Sequence, residues 1–304
     1  MIGTPYQKKV AAAVAAYPRN IAPVVEKELL HYEILKFLSA NGYLDKLVFM
    51  GGTSLRLCHG GVRYSEDLDF VIKDGFDINA MRTLGASLKQ HFEQDIGVNL
   101  NVNEPKYLKT GERNAEGINV DKWHFSFETN LHRRDLPRQK VKMEVADVPA
   151  YTSVPTRITN NYPVYLSDND QVVLYAESLE EILADKVVAF NATGADRIRY
   201  RDIWDIQWLL NKGTTLNMDF VSKKINDYQI QDMHGKVATR LGQLSDIILG
   251  ETFSAEMQRF LEPDVLQATL KDTDFKNQCI QKMTPLLERV CDSLEPPHDE
   301  LSPS

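Results

Sequence analysis

The sequence predicts an α+β protein, with a mixed β-sheet flanked by helices in its N-terminal part and a helical domain in its C-terminal part. Short apolar or alternating runs, bounded by Gly and polar residues, recur between residues 47 and 175. Helical spacing of apolar residues then dominates from residue 178 to about 292. The character of the chain changes after Val148-Pro149. These observations give a domain over 1–176 that includes N-terminal helices, a helical domain over 177–294, and a polar, Pro-rich tail over 295–304 expected to be disordered.

Each element follows from a local pattern. Residues 22–40 read as a helix because Val24, Val25, Leu29, Leu30, Ile34, Leu35 and Leu38 recur at helical spacing and Gly42 closes the run. Leu47-Val48-Phe49-Met50 is a short buried strand running into Gly51-Gly52, and a short helix starts near Thr53. The next strand is 67–72. Asp77 suits the N-cap of a helix reaching about residue 95, with Ile78, Met81, Leu84, Leu88 and Phe92 apolar. Strands follow at 97–103, 122–129 and 139–147, and the polar stretch 104–119 reads as a loop or hairpin. An extended segment at 172–175 leads to a helix opened by Ser178, where Glu181 three residues on fits a capping box.

The composition sets limits on function. With 304 residues, 43% hydrophobic and 26% charged, the chain is an ordinary globular sequence able to bury a sizeable core. A net charge of −8 argues against a protein that coats nucleic acid non-specifically. The run Arg133, Arg134, Arg138, Lys140 and Lys142 is nevertheless a candidate for holding a strand end, or else a solvated loop. Cys58, Cys279 and Cys291 lack metal-site spacing and fit a reducing compartment. Lys8-Lys9 and the Ala-rich run after them imitate a signal peptide, but the run is short and charged helix-forming sequence follows. No stretch approaches the ~20 apolar residues of a membrane span, so a cytoplasmic protein without membrane partners is expected.

The chemistry concentrates between residues 51 and 69. On a strand, Asp67 and Asp69 share a face while Leu68 and Phe70 point to the core. Two carboxylates held together ask for a cation, and oxygen ligands suit Mg²⁺ (or Mn²⁺) completed by substrate phosphates. Gly51, Gly52, Thr53 and Ser54 form a turn whose backbone can approach a phosphate, with the N–H groups of the next helix aimed at it. Together these describe a site for phosphoryl or nucleotidyl transfer from a nucleoside triphosphate. Glu144, on an alternating strand with Lys140 and Lys142, offers a third metal-binding carboxylate or a proton acceptor; Asp147 competes, and an exposed charged face is the structural reading. Ser65 shares the face of Asp67 and either contacts phosphate or caps the strand. Arg56 and Arg63 flank the loop as phosphate ligands or surface arginines, and Arg199 and Arg201 carry the same ambiguity.

A strand, a Gly-Gly turn, a short helix and Asp-x-Asp on the next strand resemble the signature of the DNA polymerase β-like nucleotidyltransferase superfamily. Here 14 residues separate Gly52 from Asp67, slightly more than usual. The fuller text, Gly-Gly-Thr-Ser-Leu-Arg-Leu with Tyr-Ser-Glu-Asp-Leu-Asp-Phe, closely resembles the AbiEii/AbiGii toxin family, which includes the MenT toxins. Two later blocks agree, the Glu-rich helix at 180–189 carrying Lys186 and the Arg201-Asp202-Ile203-Trp204-Asp205-Ile206 helix. The resemblance covers roughly residues 45–210.

The resemblance implies a nucleotidyltransferase-type sheet and a Mg²⁺-dependent toxin of a toxin–antitoxin or phage-defence system. It would move a nucleoside monophosphate to an acceptor, with the 3′ end of tRNA favoured, and answer to a cognate antitoxin. Lys186 then serves as a cation on the triphosphate, against a snorkelling lysine or a local pair with Glu181 or Asp185. Asp202 sits where the family keeps an active-site aspartate, against helix capping. In some members a serine at the position of Ser65 is phosphorylated. The same parts also fit a kinase, transfer to a protein or small-molecule hydroxyl, or a regulator that only binds nucleotide.

Overall fold

The computed structural model describes residues 4–73, 77–111, 117–129, 138–162 and 171–295, which divide into two units. The first comprises residues 1–178 together with 259–262, and the second 179–258 with 263–304. Arg133 and Arg134 of the basic run and the tail beyond residue 295 lie outside the described residues.

The first unit opens with α1 (Pro5–Val14) and α2 (Ala22–Ala40), then β1 (Leu47–Met50) and α3 (Gly51–Cys58). Next come β2 (Asp67–Ile72), α4 (Leu84–His91), β3 (Asn99–Asn103), α5 (Lys106–Thr110), β4 (Val120–Glu128) and β5 (Gln139–Pro149). It closes with β6 (Val154–Arg157) and β7 (Val173–Ala176). Among the described residues, seven strands form one mixed sheet in the order β3-β4-β5-β2-β1-β7-β6. β2 lies inside it, antiparallel to β1 and parallel to β5, while β1 runs parallel to β7. Alternation sends Leu68 and Phe70, Trp123, Phe125 and Phe127, and Val141, Met143 and Val145 into one core with residues of α2 and α4. Residues between them emerge on the opposite face, which is polar on β2, β3, β4 and β5.

The short segment 259–262 returns to this unit. Tyr64 donates its backbone N–H to Phe260 O at 2.8 Å and its hydroxyl to Glu262 Oε1 at 3.1 Å. Phe260 and Leu261 are buried.

The second unit is helical: α6 (Leu179–Ala192), α7 (Tyr200–Asn211), α8 (Met218–Asp227), α9 (Met233–Leu249), α10 (Glu251–Met257), α11 (Pro263–Ala268) and α12 (Thr273–Ser293). Val187, Ile203, Ile206, Val221, Val237, Leu244, Met283 and Leu287 are buried at helical spacing. Among the described residues no helix is long and apolar enough to cross a membrane.

Several local expectations shift. Asp77 accepts from the Asn79 N–H two residues on, so it caps a 3₁₀ turn, Ile78–Met81, and the expected long helix becomes that turn, α4 and a π turn at Phe92–Ile96. The 104–119 stretch contains α5, ended by Gly111 at φ 75°. β6 escapes a sequence reading because Pro155 argues against a strand, but it pairs only with β7, at the sheet edge where proline is tolerated. Partners from distant segments also meet the start of α6, where the Ser178 N–H donates to Thr152 Oγ1 and Glu181 pairs with Lys224, contacts that local spacing does not announce.

Candidate active site

The carboxylates stand on adjacent strands. Asp67 and Asp69 are partly exposed on β2, alternating with buried Leu68 and Phe70. On β5, Glu144 pairs in register with Asp69, and Lys142 with Asp67. Asp147 lies past the irregularity in that pairing, between the partners of Val71 and Ile72, and is exposed. Glu144 is thus the third carboxylate brought beside the pair.

Two lysines balance this charge. Lys142 Nζ lies 3.3 Å from Asp67 Oδ2 and 3.1 Å from Glu144 Oε1, and Lys122 Nζ lies 2.9 Å from Glu144 Oε1. Partial burial works to raise the Glu144 pKa, but the Lys122 hydrogen bond and the Lys142 charge outweigh it and lower it. Burial works to lower the Lys142 pKa, and the Asp67 and Glu144 charges outweigh it and raise it.

The glycines are explained by close approach. α3 begins directly at Gly51, earlier than the expected start near Thr53. Gly51 has φ 76°, and a Cβ there would come within 2.9 Å of Asp69 Oδ2. A Cβ on Gly52 would come within 2.2 Å of Arg63 Nη2 and 2.9 Å of Ser65 Oγ. The pair of glycines therefore lets a carboxylate, a guanidinium and a hydroxyl crowd the first turn of α3. Thr53 Oγ1 donates to Asp67 O, fastening that turn to the strand bearing the carboxylates. Ser54 is fully buried beneath it.

The flanking arginines differ. Arg63 is buried, with Nη1 donating to Tyr64 O at 2.9 Å and Nη2 over Gly52. The Arg56 Nε donates to both oxygens of buried Glu28, at 3.0 and 3.2 Å, and its Nη1 donates to Gly61 O and Val62 O. The Arg56 guanidinium lies 4.4 Å from the Tyr64 ring centroid, so it braces the loop. Sequence reasoning passed over His31 and Lys27: fully buried His31 contacts Glu66 O through Nε2 at 3.1 Å, and Lys27 pairs with Glu66 at 2.7 Å. Only the spacing of both residues on α2 hinted at them, and that spacing says nothing of a partner 35 residues away.

The second unit holds its own buried charge network. Lys186 Nζ lies 2.8 Å from Asp202 Oδ1 and 2.9 Å from Asp205 Oδ2, and Arg199 also pairs with Asp202. Burial works to raise the Asp202 pKa, but Lys186 and Arg199 outweigh it and lower it. Glu181 and Asp185, the sequence candidates for a local Lys186 pair, lie 2.8 and 3.0 Å from Lys224 Nζ. Asp205, three residues past Asp202 on α7, is also a direct partner of Lys186.

The first-unit cluster brings together donors of the kind a small divalent cation takes. It offers three carboxylates on neighbouring strands, and an ammonium already occupies the space between Asp67 and Glu144.

Comparison with known proteins gives this geometry a family. MenT4, a nucleotidyltransferase toxin from Mycobacterium tuberculosis H37Rv, superposes with a TM-score of 0.52 at 16% identity, over 95% of this chain and 99% of that one, a likeness of fold. Two H. pylori proteins, one of them JHP933, give TM-scores of 0.43 and 0.40 at 17% and 18% identity. They align over 89% and 88% of this chain and 99% and 97% of theirs, too loosely to support inference. No curated protein matches the chain. The model of the family described as nucleotidyl transferase AbiEii toxin, type IV toxin–antitoxin system, matches residues 33–278. With that match spanning most of its length, the chain belongs to the AbiEii family of nucleotidyltransferase toxins.

Proposed function

We propose that this nucleotidyltransferase toxin moves a nucleoside monophosphate from a nucleoside triphosphate to the 3′ end of tRNA, in a reaction dependent on Mg²⁺ or Mn²⁺. The observation that carries the reading is the register of Asp69 against Glu144, beside a glycine helix start that packs on Asp69 itself. Asp67, Asp69 and Glu144 would hold the metal, which when bound neutralises phosphate charge and lowers the pKa of an attacking hydroxyl.

The N–H groups of Gly51, Gly52, Thr53 and Ser54 at the start of α3 receive the triphosphate, favoured there by the helix dipole. Ser65 and Arg63, crowded onto the same turn, contact its oxygens. Arg56 acts one step removed, by bracing the 61–64 loop. Lys186, held by Asp202 and Asp205, is the cation that the family resemblance assigns to the reaction. The acceptor oxygen attacks the α-phosphorus, the bond to the bridging oxygen breaks, and pyrophosphate leaves. A tRNA so extended cannot be aminoacylated, and a cognate antitoxin restrains this activity in the cytoplasm.

Incubation with α-labelled nucleoside triphosphates and total cellular RNA and protein tests the reading. Label on tRNA with pyrophosphate release, absent in Asp69→Ala, is expected. Label on protein, or release of nucleoside diphosphate, would overturn it.

A further inference from the structure

The polar face of the sheet continues beyond the carboxylates. One cross-strand row runs from Asp67 on β2 through Lys142 on β5 and His124 on β4 to Asn103 on β3. The row beside it runs from Lys140 through Ser126 to Asn101. These two rows line an open groove of about 440 Å³ that begins at Asp67. That volume lies within the roughly 300–1,000 Å³ of ligand sites.

We infer that this groove is the acceptor subsite and takes the unpaired terminal nucleotides of a polynucleotide strand. The inference rests on the nucleotidyl-transfer reading above. The sheet order places β5, β4 and β3 on one side of β2, and β1, which leads into α3, on the other. A nucleotide at the start of α3 and an acceptor in the groove therefore approach the carboxylates from opposite sides, as in-line displacement requires.

The lining chemistry selects the occupant. Asn101 and Asn103 offer amides able to donate and accept together, which matches base edges, and the exposed His124 ring offers both a stacking face and a hydrogen bond. Lys140, exposed on the neighbouring row, suits a phosphodiester. The apolar residues that touch the groove, Phe125 and Val141, are buried in the core behind it, so a peptide finds no exposed apolar anchor. Beyond Asn101, on the next cross-strand row, the Glu128 carboxylate accepts from Asn99 Nδ2 at 2.9 Å and is charge-balanced by Arg138. The span suits a terminal nucleotide and its neighbour better than a duplex, whose paired bases would hide the edges these amides read.

The test is fluorescence anisotropy of the full-length protein with a labelled single-stranded RNA of about twelve nucleotides. Binding of a fluorescent nucleoside triphosphate is measured in parallel. Lys140→Ala is expected to weaken RNA binding about tenfold and to reduce the slope of log affinity against log salt by about 0.7. His124→Ala combined with Asn103→Ala is expected to weaken it about tenfold as well, with triphosphate binding unchanged throughout. All three side chains are exposed, so folding should survive these changes. RNA affinity equal to that of wild type in every variant, or no RNA binding by wild type, would overturn the inference. If RNA binding responds as expected but wild type transfers no nucleotide, the transfer reading falls and the groove remains a strand site. If transfer proceeds and RNA binding ignores these residues, the groove alone is lost.

Discussion

The Lys142 ammonium lies 3.3 Å from Asp67 Oδ2, so a side-chain cation already occupies part of the carboxylate cluster. A divalent ion entering there must displace or repel it. Lys142→Met is therefore expected to bind Mn²⁺ about tenfold more tightly than wild type, an effect of ~1.4 kcal/mol. Calorimetric titration of Mn²⁺ checks this directly, and unchanged or weaker binding would remove the competition.

Gly51 and Gly60 share φ 76°, but a Cβ would meet Asp69 at the first and nothing within 4 Å at the second. Replacing either with Ala should cost about 1–2 kcal/mol of stability, the strain of a left-handed alanine. Only Gly51→Ala should also lose transfer activity, because only there is a carboxylate pushed aside. Thermal unfolding and nucleotide transfer measured on both variants decide the matter; equal activity losses would argue against it.

His31 introduces a pH dependence. Burial pushes its pKa down from 6.5 to about 3, so the folded protein keeps the ring neutral while the unfolded chain protonates it below 6.5. The group's contribution is complete above pH 6.5 and is lost as pH falls toward 3, at roughly 1.4 kcal/mol per pH unit. Urea unfolding at pH 7 and 4.5 should show a smaller acid loss in His31→Phe than in wild type. Identical losses would sink the assignment.

The two buried lysines of the helical unit should behave differently. Lys224 is fully buried between Glu181 and Asp185, and Lys224→Met removes the ammonium that faces both carboxylates, at a cost of about 3–5 kcal/mol. Lys186→Met leaves Asp202 still paired with Arg199, so it should destabilise less while abolishing transfer. Denaturant unfolding beside the transfer assay separates the two, and full activity in Lys186→Met would exclude its proposed role.

Much of the site is written in local spacing. Asp67 and Asp69 declare a shared face through the alternation with Leu68 and Phe70, and Lys140, Lys142 and Glu144 do the same on β5. What spacing leaves open is register, because period two fixes which face a residue takes and not which residue stands across from it. Spacing on β5 alone thus leaves Glu144 and Asp147 both open, and it is the β2–β5 pairing that sets Glu144 across from Asp69. Long-range partners were hidden for the same reason: Arg56 meets Glu28, and Lys186 meets Asp205 on another helix. The glycines were read as room for phosphate, yet their neighbours are protein side chains gathered from further along the chain.

The return of residues 259–262 to the first unit limits how the polypeptide can be dissected. A fragment ending at residue 178 would lack the carbonyl and carboxylate that receive the Tyr64 N–H and hydroxyl, and would uncover the surface beneath Phe260 and Leu261. Split reporters or truncations designed on a simple head-and-tail plan would thus damage the loop carrying Arg63 and Ser65 before any question of catalysis arose.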